Sequence, residues 1–189
     1  MPDPTQVLMD EHRVIEGVLD CLARMIDQVQ ATGTTDWTAA RQAVHFFREF
    51  ADRCHHHKEE DLLFPALERC GFSAEEGPTA VMRNEHQLGR RWVQAMQQAL
   101  DQIDSGQAEA ATLFRDAAVG YLYLLREHIQ KEDQCLFPMA RQSLSAEEQA
   151  QLVEKFQTCP QAQAHDELLQ LARGLQEQFA PQQPAPGGS

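Results

Sequence analysis

The sequence predicts an all-α protein, an up-down four-helix bundle with an extra C-terminal helix or helices. Three observations support this fold class. Helix-favouring Ala, Gln, Glu and Leu are abundant among the 189 residues. Apolar residues recur at helical spacing along most of the chain. The chain also contains an internal repeat, which divides the predicted bundle into two similar halves.

The repeat centres on residues 55–65, with the sequence HHHKEEDLLFP, and on residues 128–138, with HIQKEDQCLFP. His55 and His128 correspond, as do Glu59 and Glu132, at an offset of 73 residues. A shorter match precedes each copy, since Asp10-Glu11-His12 corresponds to Asn84-Glu85-His86. We therefore predict one domain over residues 1–143, built from two repeats at about 5–70 and 79–142.

The first repeat is predicted to form two helices. Asp3 can cap the first helix and Pro4 suits its first turn, and the helical pattern continues to about Ala31. Asp36 can cap a second helix from about Trp37 to Arg69. Pro65 lacks a backbone N–H and clashes with the preceding turn, so it predicts a kink or break.

The second repeat predicts a third helix from about Thr79 to Ile103 and a fourth from about Gln107 to Gln142, which bends near Pro138. Residues 144–180 form a C-terminal helical extension. There, Ser145 to Glu148 reads as a capping box that opens a helix to about Gln157. Cys159-Pro160 interrupts the pattern before a further helix to Phe179, and residues 181–189 are predicted to be disordered.

A His and a Glu four residues apart lie on the same face of a helix, one turn apart. Imidazole and carboxylate together suit iron, zinc or manganese, and facing helices of a bundle can supply such pairs to a buried dinuclear site. One such pair per repeat, plus one further His from each of two other helices, gives six candidate metal ligands: His12, His55, Glu59, His86, His128 and Glu132. In one repeat alone, the pair could equally be an ordinary helical contact.

This pattern resembles the hemerythrin-like, or HHE cation-binding, family over residues 5 to about 142. The resemblance implies two non-haem iron ions joined by an oxo or hydroxo bridge. The four histidines would be terminal ligands, and Glu59 and Glu132 would bridge the ions. The preference for iron over zinc or manganese comes from this resemblance.

The sequence departs from the oxygen-carrying hemerythrins at one position. Their third helix has a second His one turn after the first, whereas this chain has Arg90 there. A four-His, two-Glu set disfavours simple oxygen carriage and favours redox reactivity, unless another residue fills the gap. Tyr121 could do so as a phenolate or proton donor, or be a core aromatic residue. Glu60 and Asp133 are expected at the rim, with ligation by Glu60 as an alternative.

The remaining histidines, His45, His56, His57 and His165, have no counterparts in the repeat and are expected to be solvent-facing or structural. Cys54 and Cys135 are expected to be small buried residues. The five cysteines form no CxxC pair, which favours reduced thiols and a cytoplasmic protein. The absence of a secretory signature agrees with that location.

The net charge of −13 disfavours nucleic-acid binding, and no apolar run has the length of a membrane span. The resemblance implies a di-iron protein that binds or reacts with O2, hydrogen peroxide or nitric oxide, in sensing or detoxification. If it is an enzyme, a catalase- or peroxidase-like activity is expected. The alternatives are a non-catalytic iron or oxygen sensor or storage module, which signals to a protein partner through the C-terminal helices, and a metal-free helical interaction module.

Overall fold

A computed structural model describes residues 3–158 and 165–180, which contain six helices and no strand. Helix α1 is Pro4–Thr32 and α3 is Pro78–Asp104. Helix α2 is one run over residues 37–69, and α4 is one run over residues 110–143. The C-terminal helices are α5, Ala146–Gln157, and α6, His165–Gln178. The all-α prediction is confirmed, and most predicted helix ends agree to within three residues.

Polar contacts between helix ends show that α2 is antiparallel to α3 and that α4 is antiparallel to α1. Arg41, near the start of α2, pairs with Asp104 at the end of α3 at 2.5 Å. Arg115, near the start of α4, donates to Gln30 near the end of α1 at 2.8 Å. Helix α4 packs on both α1 and α3, and α2 packs on α1 and α3, so the four helices close into a bundle.

The helix ends follow the chemistry predicted for them. The Asp3 side chain accepts hydrogen bonds from two backbone N–H groups of the first turn of α1, and Asp36 does the same for α2. Gly33 ends α1 with a positive φ of 76° and donates its N–H to Val29. Ser145 and Glu148 form the predicted capping box of α5.

Of the kink or break expected at Pro65, the break does not occur, because α2 continues through this proline to Arg69 as predicted. The helix adopts the wider π form over Phe47–His56 and Glu59–Leu63, and Pro65 follows directly. In π geometry, the missing N–H of Pro65 would have bonded to the Glu60 carbonyl, five residues earlier. Arg83 donates to that carbonyl instead, at 3.1 Å. Helix α4 repeats this arrangement, with π geometry over Glu132–Leu136 before Pro138.

Two apolar clusters divide the interior of the bundle. The larger cluster contains most of α1 and the first halves of α2 and α4, and α6 packs on it through Leu168, Ala172 and Leu175. The smaller cluster contains Leu and Phe of both Leu-Phe-Pro sequences, and α5 packs on it through Leu152 and Phe156. The predicted C-terminal extension therefore adds apolar contacts to both clusters. The Cys159-Pro160 interruption and the 181–189 tail lie outside the described residues.

The described helices include none with both the length and the apolar character needed to cross a lipid bilayer.

Helices α3 and α4 approach each other closely at Gly120, where a Cβ atom would lie 2.7 Å from the Trp92 indole ring. We expect Gly120→Ala to destabilise the protein, because overpacking costs about 1–3 kcal/mol and exceeds the helix-propensity gain of about 0.5–1 kcal/mol. Gly174→Ala in α6 is the control, since nothing lies within 4 Å of its added Cβ. Thermal unfolding should show a lower Tm for the first variant only.

Candidate metal centre

The four bundle helices bring all six predicted ligands together between the two apolar clusters. Helices α1 and α3 each contribute one histidine, and α2 and α4 each contribute a His and a Glu from consecutive turns. Each of these side chains is at most 1% exposed: His12, His55, Glu59, His86, His128 and Glu132. Their donor atoms fall into two groups that could each hold a metal ion, and Glu59 belongs to both.

The Glu59 carboxylate faces a histidine from each group. Its Oε1 atom lies 3.6 Å from His55 Nε2, and its Oε2 atom lies 3.4 Å from His86 Nε2. This carboxylate therefore spans the two groups with its two oxygen atoms.

The Glu132 carboxylate also lies between histidines of different groups. Its Oε2 atom is 3.2 Å from His12 Nε2 and 3.3 Å from His128 Nε2. The Nε2 atoms of His86 and His128 lie only 3.1 Å apart. All these atoms are acceptors when the histidines are protonated on Nδ1, so they would repel one another without a positive charge between them.

Buried polar atoms that lack partners identify where that charge belongs. Among the described residues, both oxygens of Glu59 and of Glu132, and the Nε2 atoms of His12 and His55, are buried without a hydrogen-bond partner. A buried carboxylate without compensation costs several kcal/mol. Because these donors converge and lack partners, the cluster fits one or more metal cations.

The opposite nitrogen of each candidate histidine contacts a carboxylate. His55 Nδ1 lies 3.0 Å from Glu11, and His128 Nδ1 lies 3.0 Å from Glu85. Glu11 and Glu85 correspond in the repeat. Such a carboxylate fixes the proton on Nδ1, leaves Nε2 as a donor to the metal and raises the basicity of the ring.

The other two histidines receive their carboxylates from the opposite repeat. His12 Nδ1 lies 2.7 Å from Asp133, and His86 Nδ1 lies 2.6 Å from Glu60. Glu60 and Asp133 also correspond in the repeat. The expectation that both are outer groups agrees with this geometry, since each carboxylate faces a ring Nδ1.

A layer of cations surrounds these four carboxylates. Lys58 pairs with Glu11 and Lys131 with Glu85, again at equivalent positions of the two repeats. Two arginines complete the layer, through the pairs Arg13–Asp133 and Arg90–Glu60. The pKa of Glu11 is lowered despite its burial, because His165, His55 and Lys58 favour the charged carboxylate. The surrounding Lys and Arg side chains therefore stabilise the charged form of the carboxylates beside the histidines.

The two central carboxyls have opposite pKa shifts. Burial raises the pKa of Glu59 well above its usual range, and the charge of Glu132 adds to the rise. Burial has the same effect on Glu132, but His128 and His12 outweigh it and hold its pKa well below the usual range. Although burial disfavours the imidazolium, Glu132 and Glu85 raise the pKa of His128 to about 9. The shifts of Glu59 and His128 both favour a bound proton beside the Glu132 carboxylate, as expected where positive charge is favoured.

The pKa values of His55 and His86 are lowered, which favours the neutral imidazole. Burial lowers the pKa of His55 to about 4 and outweighs the opposing effect of Glu11. Burial, with the neighbouring His56 and His128, lowers the pKa of His86 well below its usual value. Neutral imidazole is the form that binds metal ions, so these rings need not lose a proton at neutral pH.

Phenylalanines of the repeated Leu-Phe-Pro sequences cover the cluster on one side. Phe137 stacks on His12 with ring centroids 5.4 Å apart, and Phe64 stacks on His86 at 5.9 Å. Each ring covers a histidine of the opposite repeat. This contact explains why the Leu-Phe-Pro sequence recurs with the ligand pattern: it excludes water from the donors.

Of the two expectations for His56, solvent-facing or structural, the first is wrong. The residue is only 4% exposed, and it belongs to one of the two metal-capable groups, with Glu59, His86 and His128. Its place in the His55-His56-His57 run gave no signal, because three adjacent histidines point in different directions on a helix. His45 is exposed and His57 is partly exposed, as expected. His165 is partly exposed and lies 3.7 Å from Glu11.

Neither Tyr121 nor Arg90, the two residues discussed with the missing histidine, is placed as a ligand. The Tyr121 ring lies in the larger apolar cluster, edge-on to Phe47 at 4.8 Å. Burial raises the pKa of Tyr121 well above its usual value, which favours the protonated phenol over a phenolate. Arg90 occupies the position of the missing histidine, and it donates to both oxygens of Glu60 at 3.0 Å.

The cysteines near the ligand pairs differ from each other. Cys54 is buried as expected, but Cys135 is exposed, so the expectation of a buried residue there is wrong. Cys135 lies on the solvent side of α4, although the next two residues, Leu136 and Phe137, are buried.

An antiparallel helical bundle whose interior gathers imidazole and carboxylate donors is a metal-binding domain. Residues 3–140 match the family model of the hemerythrin HHE cation binding domain, and the chain belongs to this family. Uncharacterized proteins of Mycobacterium tuberculosis (strain H37Rv) and Mycobacterium bovis are each 30% identical to it over 151 residues. The match covers 79% of this chain but 58% of each relative, so the chain spans little more than half of their length. No solved structure gives a significant match.

We expect Glu59→Gln to impair metal binding while stabilising the metal-free protein. The raised pKa of Glu59 means that the metal-free protein must take up a proton there on folding at neutral pH, whereas the amide is neutral without one and can donate to the imidazole nitrogens, so the gain should be about 1–3 kcal/mol. Iron analysis and thermal unfolding in chelator would measure the two effects. Unchanged metal content with lower metal-free stability would contradict this role for Glu59.

We expect Glu85→Gln to weaken iron binding by about 10–100-fold, because it removes the charged acceptor that orients His128. Glu127→Gln is the matched control, since Glu127 is exposed and adjacent to the same histidine. Titration with ferrous iron under anaerobic conditions would measure both affinities. Equal affinities of the two variants would show that the outer carboxylate has no such effect.

Proposed function

We propose that this chain is a hemerythrin-like di-iron protein that binds or reacts with O2, hydrogen peroxide or nitric oxide in the cytoplasm, in sensing or detoxification. In this proposal, four terminal ligands (His12, His55, His86 and His128) and two bridging carboxylates (Glu59 and Glu132) hold the ions.

One observation carries the proposal for two ions rather than one. Glu59 belongs to both metal-capable groups, and its two oxygens face His55 and His86, which belong to different groups. A carboxylate placed in this way suits a pair of ions that share it. Iron is proposed because imidazole with carboxylate suits it and because bundles of this type hold di-iron centres.

An iron pair would supply electrons and coordination positions for a small molecule, and the protein would supply the surroundings. The Nδ1 carboxylates hold each imidazole in one orientation and one protonation state. The cation layer compensates the charge of those carboxylates. Phe64 and Phe137 restrict water on one side. These features suit a small molecule such as O2, hydrogen peroxide or nitric oxide better than a large organic one.

A second candidate function is a non-catalytic iron or oxygen sensor, or a storage module, that signals to a protein partner. One contact favours it: His165 of α6 lies 3.7 Å from Glu11, which in turn contacts the Nδ1 atom of His55. Metal binding that moves His55 could therefore reach the C-terminal helices. With a net charge of −13, a protein partner is a better proposal than nucleic acid.

Metal analysis with optical spectroscopy tests these proposals. After anaerobic loading with ferrous iron, we expect about two ions per chain and near-ultraviolet bands of a di-iron centre after oxidation. Oxygen evolved from added hydrogen peroxide, at a rate that Glu59→Gln abolishes, would support detoxification. Two ions with reversible spectral changes under O2 or nitric oxide, but no turnover, would support the sensor. A chain that binds no metal would contradict both.

A further inference from the structure

We propose that His56 is a fifth histidine ligand of the metal centre, and that it makes the two metal positions unequal. This inference rests on the proposed di-iron centre and adds a ligand that the repeat pattern does not contain. One position would have three imidazoles, from His56, His86 and His128. The other would have two, from His12 and His55.

The position of His56 supports ligation. Its ring stacks on His86, with centroids 3.8 Å apart and planes 13° apart, and it lies edge-on to His128 at 5.7 Å. Donor atoms of His56, Glu59, His86 and His128 all lie within 4.8 Å of one another. The stack alone is compatible with a packing role, so the convergence of the donor atoms is the observation that supports ligation.

The surroundings of His56 match those of the other four histidines. Its Nδ1 atom contacts the Asp52 carboxylate at 3.4 Å, and Arg90 donates to the same carboxylate at 2.7 Å. Each of the other histidines has the same sequence of groups, with a carboxylate on Nδ1 and an Arg or Lys behind it. This arrangement leaves Nε2 of His56 as its donor to the metal.

The neighbouring His57 shows what an ordinary surface histidine looks like. It also contacts a carboxylate, at 2.8 Å from Asp61, but its side chain is 33% exposed and that of Asp61 is 61% exposed. A His–Asp contact alone is therefore not diagnostic. Burial beside other donors, together with the cation behind the carboxylate, distinguishes His56.

The arrangement of His56, Asp52 and Arg90 has no equivalent at the corresponding positions of the repeat. At the offset of 73 residues, His56 corresponds to Ile129 and Asp52 to Leu125, and both of these counterparts are buried apolar residues. At the offset of 74 residues, Arg90 corresponds to Glu16. The three residues of the His56 arrangement thus depart together from the symmetry that the other ligands and their carboxylates obey.

A fifth histidine ligand would make the number of protein donors differ between the two metal positions. If Glu59 and Glu132 each bind both ions, the position with His56 has five protein donors and the other has four. The coordination position open to a small molecule then belongs to the ion held by His12 and His55. Arg90, found where the oxygen carriers have their additional histidine, supports the substitute histidine from α2 through Asp52.

Two substitutions separate ligation from stacking. His56→Phe keeps an aromatic ring against His86 but cannot bind a metal, whereas His56→Ala removes both. His57→Phe is the matched control on the same helix. The protein is the full chain, loaded with ferrous iron under anaerobic conditions, and circular dichroism of the metal-free variants establishes that they fold.

If His56 is a ligand, both of its variants should bind one of the two ions at least about 10-fold more weakly and should have altered spectra after oxidation, whereas His57→Phe should behave as wild type. Added imidazole should restore the spectrum of His56→Ala. Wild-type affinity and spectrum in His56→Phe would overturn the proposal and leave a stacking role. If the wild-type protein bound no iron pair, the proposed function would be contradicted. That outcome differs from a wild-type iron pair that is unaffected by His56→Phe, which contradicts only the role of His56.

Discussion

Among the residues that the structure describes, the bundle gathers buried polar atoms without partners at one point in its interior, where positive charge would stabilise them. Carboxylate oxygens of Glu59 and Glu132 and imidazole nitrogens of His12 and His55 are buried without hydrogen-bond partners. Each uncompensated buried charge costs several kcal/mol, against a total stability of roughly 5–15 kcal/mol for an ordinary domain. The fold tolerates this cost because apolar clusters on both sides of the donors stabilise it. Cations in the cluster would convert the same atoms into stabilising contacts.

Neither repeat forms a complete set of contacts. Asp133 of the second repeat holds His12 of the first, and Glu60 of the first holds His86 of the second. Phe137 and Phe64 stack on the same two histidines across the repeats. The repeated sequence elements are therefore coupled in space: a change in one half alters the orientation of a histidine in the other. This coupling gives a physical reason for two similar halves in one chain.

Much of the fold and cluster could be predicted because the signals are local or repeated. Caps, turns and apolar spacing act within a few residues, and the two-fold repeat of His-x-x-x-Glu marks the donors that the bundle brings together. The geometry that carries α2 through Pro65 could not be predicted, because it needs the π form and the Arg83 side chain from another helix. The burial of His56 beside the donors could not be predicted for a related reason: it depends on how α2 is rotated against α3 and α4, and the repeat contains no counterpart.

The residues that have no equivalent in the other repeat lie on different sides of the metal centre. Asp52, His56 and Arg90 surround the group that contains His86 and His128. The C-terminal extension reaches the other group, where His165 approaches Glu11 behind His55. Because Glu59 belongs to both groups, a change in charge at one position alters the field at the other. A nearly symmetric bundle thereby has one side enriched in imidazole donors, around His86 and His128, and one side in contact with an additional helix, behind His55.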